Sequence, residues 1–284
     1  MVGEGDGRGG QRFAVDWSDL GPRIGSALVL VAGALATAYQ GRLLFAVFWG
    51  AAAAVVAFEW LRLVSPPRLK LRAGVQIAAL VALACLSAAA LWPAAVAILI
   101  GVIVVAALLG DSGSRVWDGA GALYASVLVL APVALRQSPS LGLVAIVWLF
   151  AVVWAADICA YFVGRTFGGP KLWPRISPKK TWSGLIGGAA CGVFAGLATL
   201  LIADVPLTWG APFVALLVAF SSQCGDLFES YMKRHFGVKD TGHIIPGHGG
   251  LMDRLDGFVV AAAVALIIGL LKEPGNMAHG ILIW

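Results

Sequence analysis

Asp226, Glu229 and Ser230 stand three and four residues apart in the run Ser222–Arg234, so in a helix their side chains leave one face. Asp253 and Asp256 are likewise one turn apart. Where two such stretches lie side by side, four carboxylates converge on one point. Clustered carboxylates repel one another unless something positive neutralises them, and an all-oxygen donor set suits Mg²⁺ better than zinc. Cationic residues lie close by in sequence: Lys233, Arg234, Lys239 and Arg254. Gly247, Gly249 and Gly250 let backbone N–H groups approach a phosphate. Arg grips phosphate through paired hydrogen bonds, and Lys acts as a point charge. The chemistry these residues suit is a phosphate-bound Mg²⁺ site. His243 and His248 lack the spacing and the Cys partners of a zinc site, which leaves them a hydrogen bond to phosphate or a role in loop structure.

A second polar segment precedes this one. Asp157, Tyr161 and Gly164 recur at helical spacing inside an apolar run, where an ionisable group is costly unless it faces a polar cavity or a partner. Arg165 and Lys171 follow, then Ser177-Pro178-Lys179-Lys180-Thr181 beside Gly184 at an expected helix start. That cluster offers two ammonium groups and two hydroxyls to anionic oxygens. Taken alone, the two lysines also suit a topology anchor on anionic headgroups. No GxSxG and no GxxxxGK[ST] run is present, so neither a serine nucleophile of that type nor a soluble-type nucleotide loop is supported.

The elements that must hold these groups are membrane helices. Hydrophobic residues make up 60% of the 284 residues and charged residues 12%, and the mean hydropathy is +0.89. In lipid every backbone polar group needs an internal partner, and the apolar runs are long and not alternating, which selects helices over a barrel. The expected spans are Ile24–Tyr39, Leu43–Val64, Gly74–Trp92, Ala94–Leu109, Gly119–Leu135, Leu141–Gly164, Gly184–Ala203, Ala211–Tyr231 and Gly257–Leu271. Ile24–Val64 suits one long helix or two, and Pro93 permits a kink or a break. The chain divides into a flexible tail (1–22), N-terminal helices (23–140) and a C-terminal catalytic membrane region (141–284).

Alternate loops differ sharply in charge. One set holds Arg68, Lys70, Arg72, Arg115, Arg165, Lys171, Arg175, Lys179, Lys180, Lys233, Arg234, Lys239 and Arg254. The other holds Arg42, Arg136 and little else. The positive-inside rule places the first set and the N-terminus in the cytoplasm, and nine spans leave the C-terminus outside. The net charge of +5 is thus a matter of topology and not of nucleic-acid binding. Cys85, Cys159, Cys191 and Cys224 form no CxxC pair and read as packing residues. Gly184, Gly188, Gly192 and Gly196 form a flat stripe that lets another helix come close, either within the bundle or in a second subunit.

The run Ser230-x₂-Lys233-Arg234-x₄-Lys239-Asp240-x-Gly242-x₂-Ile245-Pro246-x-His248-Gly249-Gly250-Leu251-x-Asp253-Arg254-Leu255-Asp256 closely resembles the signature of phosphatidate cytidylyltransferases, also called CDP-diacylglycerol synthases. The likeness extends to Ser222-Gln223-x-Gly225-Asp226-x₂-Glu229, to Ile176-Ser-Pro-Lys-Lys-Thr181 and to Asp157-x₂-Ala160-Tyr161-x₂-Gly164-Arg165. Cys159 and Ser183 stand where many relatives have Gly and Glu. The resemblance implies transfer of CMP from CTP to phosphatidate with release of pyrophosphate. It also implies an all-α polytopic membrane fold, Mg²⁺ with room for a second cation, a homodimer, and a bacterial inner membrane with the site facing the cytoplasm. With the residue chemistry, it assigns Asp226, Asp253 and Asp256 to the metal and, with Lys233 and Arg254, to catalysis. Substrate contacts fall to Asp157, Tyr161, Arg165, Ser177, Lys179, Lys180 and Thr181 in the first segment. In the second they fall to Ser222, Glu229, Ser230, Arg234, Lys239, Asp240, His248, Gly249 and Gly250.

Two rival readings remain at this stage. Intramembrane acids also mark ion pathways in transporters, although here they gather at one membrane face and no inverted repeat is visible. A nucleotidyl or kinase reaction on another lipid, such as a prenyl-type phosphate, fits the residues nearly as well.

Overall fold

The computed structural model describes residues 20–64, 68–242 and 249–284. Most of the expected tail, together with His243 and His248, lies outside the described residues. The helices are α1 (Leu20–Gln40), α2 (Arg42–Val64), α3 (Leu69–Ala88), α4 (Trp92–Leu109), α5 (Arg115–Arg136), α6 (Gly142–Phe167), α7 (Trp182–Ile202), α8 (Ala211–His235), α9 (Met252–Lys272) and a short α10 (Met277–Leu282). Among the described residues eight of them, α2 to α9, are long and apolar enough to cross a membrane, and α1 adds a shorter apolar stretch, Gly25–Gln40. The chain is an all-α polytopic integral membrane protein.

Both open points resolve as helix breaks. Gly41 takes a left-handed φ of 67°, which ends α1 and lets α2 begin one residue later. Pro93 sits in the first turn of α4, where its missing N–H would have had no helical partner anyway. The α6–α7 connection, expected as a loop, is an antiparallel hairpin of β1 (Lys171–Trp173) and β2 (Ser177–Thr181). Pro178 is tolerated because a two-stranded sheet consists only of edge strands.

Between lipid-facing helices there is little hydrophobic driving force, so close packing must hold them. The α7 glycine stripe supplies it within the bundle. Gly184, Gly188, Gly192 and Gly196 are all buried. A Cβ on Gly188 would stand 2.6 Å from the Ala156 carbonyl oxygen of α6, and one on Gly192 would stand 2.8 Å from Ala219 Cβ of α8. The N- and C-terminal stretches share one core: Trp49 of α2 stacks on Phe258 of α9 at 4.8 Å, and Phe150 of α6 packs on the same ring at 5.4 Å.

Two arginines from the charge count also have structural partners. Arg72 is buried and reaches Asp111 at 3.2 Å and Asp118 at 3.4 Å, tying α3 to α5 and the turn before it. Arg136 donates to the Ala38 and Tyr39 carbonyls at 2.5 and 3.1 Å, satisfying the C-terminal end of α1.

Candidate active site

The last turns of α8 and the first turns of α9 lie side by side, so the two acidic pairs meet. Carboxylate oxygens of Asp226, Glu229 and Asp256 all fall within 4.8 Å of one another. Glu229, expected among the substrate contacts and also as one of the four converging acids, thus takes the third corner beside two of the expected metal acids. Its Oε2 accepts from Lys233 at 2.7 Å across one helical turn. Its Oε1 is buried with no hydrogen-bond partner, an arrangement that is costly unless the carboxyl takes up a proton or a further positive group binds there. The site's oxygen-only donors fit a hard divalent cation.

Asp253 occupies a different position from the one expected of a member of the metal triad. Its Oδ1 accepts from Lys233 at 3.0 Å, and its Oδ2 accepts the backbone N–H groups of Thr241 and Gly250 at 3.2 and 3.1 Å. It therefore bonds both flanks of the segment containing His243 and His248, and it shares Lys233 with Glu229. Asp256 Oδ1 accepts from the Gly257 N–H at 2.7 Å. Tyr124 of α5 donates to the Asp256 carbonyl at 3.5 Å.

The hairpin closes this centre from the other side. Lys180 Nζ reaches Asp226 Oδ2 at 2.6 Å. Thr181 is the N-cap of α7, accepting from Gly184 N–H at 3.1 Å, and Arg234 of α8 donates to the Ile176 carbonyl at 3.4 Å. Gly164 is needed where α6 passes this cap, because a Cβ there would stand 2.9 Å from Thr181 Oγ1. A cavity of about 650 Å³ with many charged groups in its lining adjoins the hairpin; Asp157, Tyr161, Arg165, Lys179, Lys180, Thr181 and Asp226 line it, as do Lys171 and Gln223, together with apolar surface of residues such as Leu172 and Leu185. Arg165 donates to the Tyr161 hydroxyl at 2.8 Å. A second cavity, of about 380 Å³, is walled by apolar residues of α1, α2, α6 and α9, among them Leu30, Ala52, Trp49, Val153 and Phe258. Asp157 lines both, and Arg254 lines the apolar one.

Other expected contacts fall elsewhere. Ser222 is fully buried with its hydroxyl donated to the Ala219 carbonyl at 2.9 Å, a helix-internal bond. Ser177, Ser230, Lys239 and Asp240 line neither cavity, and the last two are exposed. Gly249 has a φ of +86°, and Gly250 supplies the N–H to Asp253. Sequence reading missed Glu59 of α2, which is 1% exposed and accepts the backbone N–H groups of Leu251 and Met252. The rule that singled out Asp157, an acid inside an apolar run, would have found it. Gln223 and Lys171 were seen as sequence but not as lining residues.

The model of the cytidylyltransferase family matches residues 22–271. A phosphatidate cytidylyltransferase of Brucella suis biovar 1 (strain 1330) is 52% identical over 161 residues, covering 56% of this chain and 60% of the relative. Proteins of the same name from Staphylococcus saprophyticus (strain ATCC 15305) and Staphylococcus aureus (strain COL) are 44% and 47% identical over 126 and 124 residues. The first match covers 44% of this chain, the second 43%, and each spans 48% of the relative. The chain thus spans 60% or less of the length of these relatives.

Proposed function

This chain belongs to the cytidylyltransferase family, and from that premise we propose that it transfers CMP from CTP to phosphatidate, giving CDP-diacylglycerol and pyrophosphate. One observation carries the reading: a basic polar cavity and an apolar cavity share Asp157 beside the acid cluster. A reaction between a water-soluble triphosphate and a diacyl lipid needs both environments next to each other.

In this mechanism a phosphate oxygen of phosphatidate attacks the α-phosphorus of CTP. The bond to the bridging oxygen of the β-phosphate breaks, and pyrophosphate leaves with that electron pair. No enzyme nucleophile is needed; the obstacle is bringing one anion onto another. Positioning and charge neutralisation then carry the catalysis. Lys179, Lys180, Lys171 and Arg165 line the cavity suited to the triphosphate, and Arg254, in the lining of the apolar cavity, is the cation available to a lipid phosphate there. Lys233, bonded to Glu229 and Asp253, holds positive charge against the acids. Mg²⁺ would be held by Asp226, Asp256 and Glu229, with Asp253 as the fourth acid of the set, and when bound it neutralises the phosphate charge as a Lewis acid. The buried, unpartnered Glu229 Oε1 supports that assignment.

The charge asymmetry of the loops supports a site facing the cytoplasm of a bacterial inner membrane, and the family resemblance suggests a homodimer. Labelling of single introduced cysteines in oriented vesicles, and cross-linking in the membrane, test these two points.

The deciding assay gives purified protein labelled CTP, Mg²⁺ and phosphatidate and measures lipid product and pyrophosphate together. Equal amounts of both are expected. Formation of neither would leave the transporter reading standing, and preference for a prenyl-type phosphate would reassign the substrate.

A further inference from the structure

Glu59 lies near the end of α2, in a run that is otherwise suited to lipid, yet it is 1% exposed and its carboxylate is fully bonded. Oε1 accepts the Leu251 N–H at 3.0 Å and Oε2 accepts the Met252 N–H at 2.7 Å. These are N–H groups that a helix start leaves without intrahelical partners. The residue at the α9 N-cap is Leu251, which has no side-chain oxygen to offer. A carboxylate from a distant helix does the work of a cap, with the favourable sign for a helix N-terminus.

The same carboxylate lies against both flanks of the segment before α9. A Cβ on Gly242 would stand 2.7 Å from Oε1, and one on Gly250 would stand 3.0 Å from Oε2. The next bonds run from this point into the acid cluster: Gly250 N–H to Asp253, Asp253 to Lys233, and Lys233 to Glu229. A local Ser or Asp cap would satisfy the N–H groups equally well but would not tie α9 to α2.

We infer that Glu59 is a positioning residue that fixes the first turn of α9, and with it Asp253 and Asp256, against α2. The inference rests on the proposed reading of the acid cluster as the catalytic centre. The register of two carboxylates depends on a two-point grip that only an unbranched acid of this length provides.

The test compares full-length wild type, Glu59→Gln and Glu59→Ala in detergent. Gln keeps one acceptor oxygen; Ala keeps none. Amide exchange of the peptide spanning Gly250–Asp256 should quicken on the order of tenfold in E59A, as expected for losing hydrogen bonds to a charged acceptor. The kcat should fall on the order of 10²-fold, the usual consequence of a misplaced catalytic group. The KM for CTP should stay within about a factor of two, because no α9 residue lines the cavity that holds the β2 lysines, whereas Leu251 and Arg254 line the apolar cavity, so the KM for phosphatidate should rise as they shift. E59Q should fall between the two. Wild-type exchange and kcat in E59A would overturn the inference. So would uniformly faster exchange across all helices with E59Q no better than E59A, which would mark a merely structural residue. If the wild type makes no CDP-diacylglycerol, the functional reading fails, and local exchange at Gly250–Asp256 still decides the role of Glu59.

Discussion

Asp226 illustrates how far a single residue can be argued. It pairs with Lys180 at 2.6 Å, and it belongs both to the acid cluster and to the lining of the polar cavity. Asp226→Asn keeps the shape and removes the charge, so the fold should survive while kcat falls about 10²–10³-fold, the range seen when one preorganised charge-stabilising group is lost. Lys180→Met should raise the KM for CTP. Because the two side chains form one ion pair, the double variant should lose less than the sum of the single losses. Steady-state kinetics on the four proteins, with circular dichroism to confirm folding, measures this, and strict additivity would show that the pair does not act as a unit. The acids of this centre were legible because helical spacing alone puts Asp226 with Glu229 and Asp253 with Asp256. What spacing did not reveal was which oxygens meet. Asp253 turns to Lys233 and two backbone N–H groups, and Glu229 completes the corner, because each choice depends on how far α8 and α9 are rotated about their own axes.

The α6–hairpin–α7 unit shows the same division between elements. The glycine stripe of α7 was readable as a close-approach face, but its partner was not, since a flat face suits an internal helix and a second subunit equally. The structure turns it toward α6 and α8, where the Ala156 and Val152 carbonyls lie in the path of any added side chain. Gly188→Leu should therefore force α7 away from α6, at a cost of about 1–3 kcal/mol for overpacking. Since α7 begins at the Thr181 cap beneath the hairpin, the lysines of β2 should move with it. A lower thermal midpoint in detergent, together with a raised KM for CTP, is the expected pair of readouts. A lower midpoint with an unchanged KM would mean that the hairpin is held independently, through Arg234 and Ile176. The hairpin itself was not legible, because Pro178 and two adjacent lysines argue against a strand unless the strand has a free edge.

At the scale of the whole molecule, the sequence carried the order of the long apolar helices because lipid imposes a minimum length on each apolar run, but it expected nine spans where eight of the described helices are long and apolar enough to cross, and it did not show the short α10. It did not carry the apolar cavity, whose walls come from α1, α2, α6 and α9 and meet only after the halves pack around Trp49, Phe150 and Phe258. That packing sets side by side one space whose lining carries several charged groups and one walled almost wholly by apolar side chains, with Asp157 in the lining of both. If the apolar space takes the acyl chains and the polar one takes the triphosphate, the two substrates can be perturbed separately. Ala52 lines the apolar cavity and does not line the polar one. Ala52→Phe adds a ring to a space of about 380 Å³ and should raise the KM for a long-chain phosphatidate several-fold. The KM for CTP should not change. A short-chain phosphatidate, which needs less of that volume, should be affected less. The contrast is informative because a general loss of stability would lower the rate with both lipids alike. Equal effects on long and short chains, or an effect on CTP alone, would separate the apolar cavity from the lipid substrate and return the acyl chains to the open membrane.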